Sequence, residues 1–246
     1  MEKWVILPHP CYNIFMRDIF SAPEYKFPYT DYRFPGQSND EVILFVGREN
    51  PIMLWARRSF VVMLGIAIFA TGAWFSSLLK TGLGINIPPI VPIISFLLAA
   101  LIVLIGWWWI SILWKKSIGI ITSKRLTKFI YTTPINRHNL SLPLETIVDT
   151  GAYAKGFAQA IFKLETFTAR SSASSSGVAT DDEDRINKKY FYFENIKMAE
   201  DLQHYVNKLI YAFRHHQEHL TTFRPFIPQN SGNREDLMNK YPNYWS

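Results

Sequence analysis

The sequence contains a single cysteine, Cys11, among 246 residues. One cysteine cannot form an internal disulfide, and domains that depend on disulfides belong to oxidising compartments. The scarcity of cysteine therefore fits a domain that folds by packing and hydrogen bonding in a reducing compartment.

Charged side chains are missing from two long apolar stretches, residues 59–79 and 90–114. Both stretches are apolar on all sides rather than along one stripe, although a pair of helices buried in a large soluble core remains the alternative. At 1.5 Å per residue, a helix of either length spans about 30 Å or slightly more, which matches the hydrocarbon core of a bilayer. Because a helix satisfies its own amides in lipid, the sequence predicts a two-helix transmembrane hairpin.

Basic residues flank the hairpin unequally. Arg57 and Arg58 precede the first helix, Lys115 and Lys116 follow the second, and the connecting loop has only Lys80. Since basic residues stay on the cytoplasmic side during insertion, we expect a multi-pass protein of the cell (inner) membrane with both termini in the cytoplasm. Neither stretch has an ionisable side chain, which favours an anchor over the alternative of an oligomeric pore or transporter subunit.

Changes in composition divide the chain into five parts. They are an aromatic and Pro-rich lead-in (1–40), a short strand with a pre-membrane segment (41–56), the hairpin (57–116), a cytoplasmic domain (117–219) with a flexible Ser-rich and acidic insert (171–187), and a flexible tail (220–246). Two interpretations of the lead-in stay open, a disordered tail and a strap that packs aromatic side chains on the domain. Its prolines exclude a long helix, and its aromatic content exceeds that of most disordered segments.

Short, β-branched segments replace the long apolar runs after the hairpin. The pattern predicts strands at residues 117–122, 126–131, 137–142, 146–154, 163–170 and 188–193. From Asn195 to Gln217, apolar side chains recur at helical spacing and predict an amphipathic helix that Asn195 caps. The expected fold class is α+β, in which the transmembrane hairpin is followed by a small antiparallel barrel or strongly bent sheet with a C-terminal amphipathic helix.

Three segments, taken in order after a membrane hairpin, resemble a known family. They are the strand-turn-strand of residues 120–126 with its Thr-x-x-Arg turn, the segment 142–149, and the closing strand and helix at 190–210. This order resembles bacterial pleckstrin-homology (PH)-like membrane proteins. The resemblance implies a PH-like β-barrel that acts as a non-enzymatic binding or scaffolding module with a protein partner. It does not imply phosphoinositide binding.

One motif points instead to an enzyme. Residues 215–219 (HHQEH) fit H-x-x-E-H, the pattern of inverted zincins, with His215 and His219 one helical turn apart and Glu218 between them. Such a site needs a third ligand, and only two acidic residues follow, so a solvated helix terminus is favoured over a membrane metalloprotease. Phosphate loops and nucleophile elbows are missing from the sequence. We therefore expect no catalytic residue, no cofactor and no metal.

The net charge of +6 favours contact with an anionic cytoplasmic leaflet. A basic stripe with interleaved aromatic residues is missing, so we expect no nucleic-acid partner. Four basic residues lie in the first three strands and their turns, and they are candidates for contact with lipid headgroups or a partner: Lys124, Arg125, Lys128 and Arg137. A solvated rim is the alternative, since exposed basic residues are common and singly contribute little.

Overall fold

The computed structural model describes residues 17–22, 29–82, 90–172 and 190–228, together with residues 235 and 239. Its α-helices are α1 (Pro51–Gly82), α2 (Ile90–Lys116), α3 (Phe157–Phe162) and α4 (Ala199–His215). Its strands are β1 (Arg17–Asp18), β2 (Tyr32–Arg33), β3 (Ile43–Gly47), β4 (Ile118–Thr122), β5 (Arg125–Tyr131), β6 (Arg137–Pro143), β7 (Ile147–Tyr153), β8 (Glu165–Ser171) and β9 (Tyr190–Ile196). The α+β class is confirmed, with two long apolar helices followed by antiparallel sheets.

Helices α1 and α2 are long and apolar enough to cross a membrane. Only 6% of the most apolar window of each helix is buried within the protein, so neither is a core helix of the domain. α1 begins at Pro51 rather than at residue 59, because the Asn50 side chain accepts a hydrogen bond from the Ile52 amide (3.0 Å) and proline suits the first helical position. With 32 residues, α1 is about 48 Å long and exceeds the thickness of a hydrocarbon core.

Small residues allow α1 and α2 to pack closely. Gly65 and Gly72 of α1, and Gly106 of α2, lie where an added Cβ would overlap a side chain of the other helix. Phe69 and Phe96 add an edge-to-face contact with ring centroids 5.9 Å apart. Contacts of this kind hold helices together in lipid, where the hydrophobic effect gives no driving force between them.

The helical hairpin is inserted between two neighbouring strands of one sheet. Strands β3, β4, β5 and β6 form a four-stranded antiparallel sheet in that order. β3 precedes α1, whereas β4 follows α2, and Gly47 of β3 pairs with Gly119 of β4. The domain therefore begins at β3 rather than at residue 117, because its first strand lies on the N-terminal side of the hairpin.

Strands β7, β8 and β9 form a second, three-stranded antiparallel sheet. Within the described residues, no strand pairing joins the two sheets. The expected barrel therefore does not close, and two separate sheets are found in place of one strongly bent sheet. The break follows Pro143, which ends β6 and has no amide hydrogen to donate. Residues Leu144–Thr146 then form a 3-10 turn that leads the chain into β7.

Helix α4 packs on the second sheet through the apolar stripe that the sequence predicts. Its buried side chains include Leu202, Val206 and Leu209. Asn195 is not its cap, because that residue lies within β9, where the register shifts and its φ is positive (57°), and α4 begins only at Ala199. The carboxylate of Glu165 in β8 instead accepts a hydrogen bond from the Ala199 amide (3.1 Å), which satisfies a helix N-terminal amide.

The main core lies between the two sheets and α4, and the start of the predicted tail belongs to it. Phe223 and Phe226 are buried, and the Phe226 amide donates to the Leu44 carbonyl of β3 (3.3 Å). The Tyr205 hydroxyl of α4 donates to the Arg224 carbonyl (2.7 Å). The boundary predicted at residue 220 is therefore wrong for residues 220–228. Burying the two phenylalanine side chains lowers the free energy of this segment relative to a tail exposed to water.

The lead-in forms a strap over the outer face of the first sheet where the structure describes it. Its buried side chains are Ile19, Ala22, Tyr29 and Phe34, which join a second core with β3, β4 and β5. The Arg48 guanidinium donates to the carbonyls of Phe20 (2.7 Å) and Ala22 (2.8 Å). The strap interpretation thus holds for residues 17–22 and 29–34. Residues 1–16, 23–28 and most of the insert (173–189) lie outside the described residues.

We predict that Gly119→Ala destabilises the protein by about 2 kcal/mol, because a Cβ at this position would overlap the ring of buried Phe193. The thermal midpoint of the full chain in detergent should fall by roughly 4–8 °C. Gly82→Ala is the matched control, since nothing lies within 4 Å of a Cβ added there. Equal midpoints for the two variants would contradict the packing of Phe193 on the Gly47–Gly119 pair.

Candidate functional site

The strands run between two ends of the domain, which we name the hairpin end and the far end. At the hairpin end, β3 ends at Gly47 and β4 begins at Ile118, next to the termini of α1 and α2. The far end includes the turn at residues 123–124 between β4 and β5. The Asn195 carbonyl of β9 accepts a hydrogen bond from the Asn50 amide (3.0 Å), so the second sheet also reaches the hairpin end.

Lys124 and Arg125 lie at the far end. β4 carries the chain away from the hairpin over five residues, a distance of about 17 Å. Lys124 forms an ion pair with Asp40 (2.5 Å), and Arg125 forms one with Glu41 (2.9 Å). This position does not fit the expectation that the two basic residues meet lipid headgroups beside the hairpin.

Glu41 organises the far-end turn. Its buried carboxylate accepts hydrogen bonds from the Thr122 hydroxyl (2.7 Å), from the Arg125 guanidinium (2.9 Å) and from the Ser38 amide (3.0 Å). Burial by itself raises the pKa of the Glu41 carboxyl, but the hydrogen bonds from Arg125 and Thr122 outweigh burial and hold this pKa below its usual value. The Thr-x-x-Arg turn, from Thr122 to Arg125, is therefore held in place by the Glu41 carboxylate of the same chain.

The other two basic candidates lie closer to the hairpin. Arg137 begins β6 at the hairpin end, is exposed, and has its guanidinium 5.3 Å from the ring centroid of Phe129. Lys128 lies in the middle of β5 and faces a cavity between the sheet and the hairpin. The four candidates thus do not form one cluster.

The cavity that Lys128 faces has a volume of about 190 Å³, and we name it the junction cavity. Its charged lining residues are Arg48, Glu49, Arg57, Lys128 and Glu194. The Glu49 carboxylate pairs with Arg57 (2.8 Å), and the Glu49 carbonyl accepts a hydrogen bond from the Trp114 indole (2.9 Å). Three basic and two acidic side chains leave the junction cavity with a small positive excess.

Lys128 is the residue of the junction cavity whose pKa is shifted. Burial lowers the pKa of its ammonium group to about 8, while the charges of Glu194 and Glu49 act in the opposite direction. Its Nζ lies 4.0 Å from the ring centroid of Tyr192, which is a cation–π contact. A titratable group with a shifted pKa in a cavity is a candidate for a functional site.

A larger groove of about 610 Å³ opens at the far end. Besides the ion-paired residues of that end, it is lined by Glu145, Phe213, Gln217 and Leu220. This volume is within the range of ligand sites, and the lining combines apolar side chains with three acidic and two basic ones. We name it the far-end groove.

The H-x-x-E-H motif does not lie on one helix. α4 ends at His215, whose ring packs against Tyr211 with centroids 4.7 Å apart, and a 3-10 helix follows at Gln217–Thr222. The side chains that come together are those of His216, Glu218 and His219, whose ligand atoms lie within 4.8 Å of one another. His215 and His219 are therefore not stacked one α-helical turn apart, as the zincin pattern requires.

The flanking basic residues take different positions. Arg58 donates to the Ser111 hydroxyl (2.8 Å) and lies over the Trp107 ring at 4.4 Å, so it joins α1 to α2. Lys116 donates to the Pro134 carbonyl (3.3 Å), and Lys115 is exposed. Lys80 lies at the opposite end of α1.

The chain matches no family of known proteins, no curated protein and no solved structure.

Sequence reasoning missed Glu49 and Glu165, which connect separate elements. Glu49 joins α1, α2 and β9 through Arg57, Trp114 and Asn195, the last at 2.5 Å. The signal for Glu49 in the sequence was an acidic residue directly before the Asn50-Pro51 pair, where α1 starts. Glu165 gave no local signal, because the helix that it caps lies more than thirty residues away.

We predict that Lys128→Met stabilises the protein at pH 7 by about 1–3 kcal/mol, because a charged amine is removed from a site that disfavours its charge. The folded pKa of about 8 lies below the unfolded value of 10.5, so the unfolded state binds more protons between these values. The wild type should therefore gain stability as the pH rises from 8 towards 10.5, and its difference from the variant should shrink.

Thermal midpoints of the full chain in detergent between pH 6 and pH 10 would measure this difference. Lys124→Met is the control, since the exposed Lys124–Asp40 pair contributes little at any pH. A Lys128→Met difference that stays constant across this range would contradict the lowered pKa.

Proposed function

We propose that the protein is a membrane-anchored, non-enzymatic PH-like binding or scaffolding module on the cytoplasmic face of the cell membrane. The observation that carries this proposal is the insertion of an apolar helical hairpin between the paired strands β3 and β4. A hairpin in this position connects a bilayer to a folded domain through both of its ends.

The link between helices and domain is short and hydrogen-bonded. The Ser117 amide still donates to the Leu113 carbonyl of α2 (2.9 Å), and β4 begins at the next residue. Trp114 and Asn195 both contact Glu49, as described above. The domain therefore sits against the leaflet in this proposal and does not swing on a flexible tether.

The strand order supports a PH-like assignment. After the hairpin, the antiparallel strands β4 to β9 are followed by one amphipathic helix, which is the order that the resemblance implies, although β3 precedes the hairpin and no barrel closes within the described residues. The quoted segments 120–126, 142–149 and 190–210 fall on the β4–β5 turn, on the β6–β7 turn, and on β9 with α4.

The far-end groove is the surface that we assign to a protein partner. It lies at the end of the domain that faces away from the hairpin, and its mixed lining suits a peptide segment with apolar and basic side chains. The two other functions have less support among the described residues, although His216, Glu218 and His219 lie close enough together to hold a metal ion. The zincin spacing is broken after His215, and α1 and α2 have no charged side chain from residue 59 to residue 79 or from residue 90 to residue 114.

The first test concerns the anchor. In a Cys11→Ser background, single cysteines at Gly82 and Lys155 should react differently with a membrane-impermeant maleimide applied to intact cells. We expect Gly82→Cys to be labelled from outside and Lys155→Cys only after permeabilisation, because the basic residues flank the end that carries the domain. Labelling of Lys155→Cys in intact cells would reject the orientation, and labelling of neither site after permeabilisation would mean that the probes are inaccessible.

The second test concerns the partner. A photoreactive amino acid at Glu145 or Gln217 in the far-end groove should give a cross-linked adduct of one defined mass in cells. The same probe at Lys208, which is exposed on α4 outside the groove, is the control. Adducts of the same yield from all three positions, or none from the groove, would argue against a partner site there.

A further inference from the structure

Exposed apolar side chains outside the hairpin concentrate at one end of the domain. Among the described residues, seven large apolar side chains outside α1 and α2 are exposed. Five of these lie at the hairpin end, in the β5–β6 turn, at the end of β7 and in α3: Ile135, Tyr153, Phe157, Ile161 and Phe162. Two are nearly fully exposed, Ile135 at 89% and Phe157 at 83%. Contact with water gives no reason for exposed apolar side chains to gather at one end of the domain.

The first apolar turn lies directly beside the end of α2. Lys116, the last residue of α2, donates its Nζ to the Pro134 carbonyl (3.3 Å), and the same Nζ lies 5.3 Å from the Tyr131 ring centroid. Ile135 follows Pro134 in the chain. Its exposed side chain therefore lies next to the residue at which α2 leaves the apolar span.

The second apolar segment, α3, is linked to the start of α1. The Gln159 side chain of α3 donates to the Asn195 side-chain oxygen (2.9 Å), and the Asn195 amide nitrogen donates to the Glu49 carboxylate (2.5 Å). The Glu49 carbonyl accepts the Trp114 indole proton (2.9 Å). Tryptophan indoles concentrate at the headgroup level of membranes, so this chain of contacts places α3 beside that level.

Basic side chains surround the two apolar segments. The exposed basic residues of the hairpin end are Arg57, Lys115, Arg137, Lys155, Lys163 and Lys197. The exposed acidic residues described there are Glu194 and Glu200. Among the described residues, Arg57 pairs with Glu49 and, at the far end, Lys124 and Arg125 pair with carboxylates, whereas the other five basic residues of the hairpin end form no ion pair. Apolar side chains among basic ones are typical of segments that enter an anionic membrane interface.

We propose that the β5–β6 turn and α3 insert Ile135, Phe157 and Ile161 into the interfacial region of the leaflet that the hairpin crosses, so that the domain rests on lipid at two further points. This inference rests on the membrane anchoring of the proposed function. It commits to lipid as the occupant, because both segments are tied by hydrogen bonds to the ends of the apolar helices.

The test uses the full chain in nanodiscs that contain anionic lipid, in a Cys11→Ser background with single cysteines labelled by an environment-sensitive fluorophore. Probes at Asn136 and Ala160 lie next to the exposed apolar side chains, and a probe at Glu145 marks the far end. Lipids brominated near the headgroup end of their acyl chains should quench the first two probes and not the third, since interfacial segments enter the acyl boundary by about 5–10 Å.

Serine variants test the side chains themselves. Ile135→Ser should lower the quenching of the Asn136 probe roughly twofold, and Phe157→Ser should do the same for the Ala160 probe. Val148→Ser is the matched control, because Val148 is also exposed, at 60%, but is the second residue of β7, at the far end. This control should leave both probes unchanged.

A probe at Leu104, which is 70% exposed on α2, separates the two proposals. If bromolipid fails to quench it, the hairpin is not in lipid and the proposed function fails. If it is quenched while the Asn136 and Ala160 probes behave like the Glu145 probe, only the insertion proposal is overturned. Protection of those probes from aqueous iodide without quenching by bromolipid would show that protein covers the turns, and this too would overturn the lipid assignment.

Discussion

The hydrogen-bonded pairing of β3 with β4 is the constraint on which the rest of the structure depends. These strands are neighbours in one sheet, yet the whole α1–α2 hairpin separates them in the sequence. Paired strands lie about 4.8 Å apart, whereas packed helices lie about 8–10 Å apart. The hairpin ends must therefore converge within a few residues of the sheet, and the small residues along the helix interface allow this convergence.

A second consequence is that the two ends of the domain differ in chemistry. At the far end, the Arg125–Glu41 and Lys124–Asp40 pairs join basic side chains to carboxylates, and hydrogen bonds hold the pKa of Glu41 below its usual value. The hairpin end leaves basic and apolar side chains exposed around a cavity with a perturbed lysine. In the proposal, a lipid interface at the hairpin end accounts for this division, which water on all sides does not explain.

Local sequence patterns predicted the elements well and their long-range partners poorly. Short, β-branched segments and polar–apolar alternation located β4 to β9, and helical spacing located α4. The same patterns did not show that β3 belongs to the sheet, because its partner strand lies beyond the hairpin and no local signal records such pairing. The burial of Phe223 and Phe226 was missed for a related reason. The prolines and polar residues around them are typical of a tail, and the core that buries them is formed by other parts of the chain. For the candidate site, grouping Lys124 with Arg137 failed because β5 carries them to opposite ends of the sheet.

In the proposed function, the insertion of the hairpin between β3 and β4 also determines how a partner meets the protein. Since the links between the hairpin ends and the sheet are only three residues and one residue long, the far-end groove is held at a nearly constant height above the leaflet. A groove on a flexible tether samples a large volume, whereas one at constant height is most accessible to segments presented at the same height. A partner anchored in the same membrane by a short juxtamembrane segment satisfies this condition, because confinement to two dimensions raises its effective concentration at the groove. The geometry therefore favours another membrane protein over a freely diffusing one as the occupant of the far-end groove.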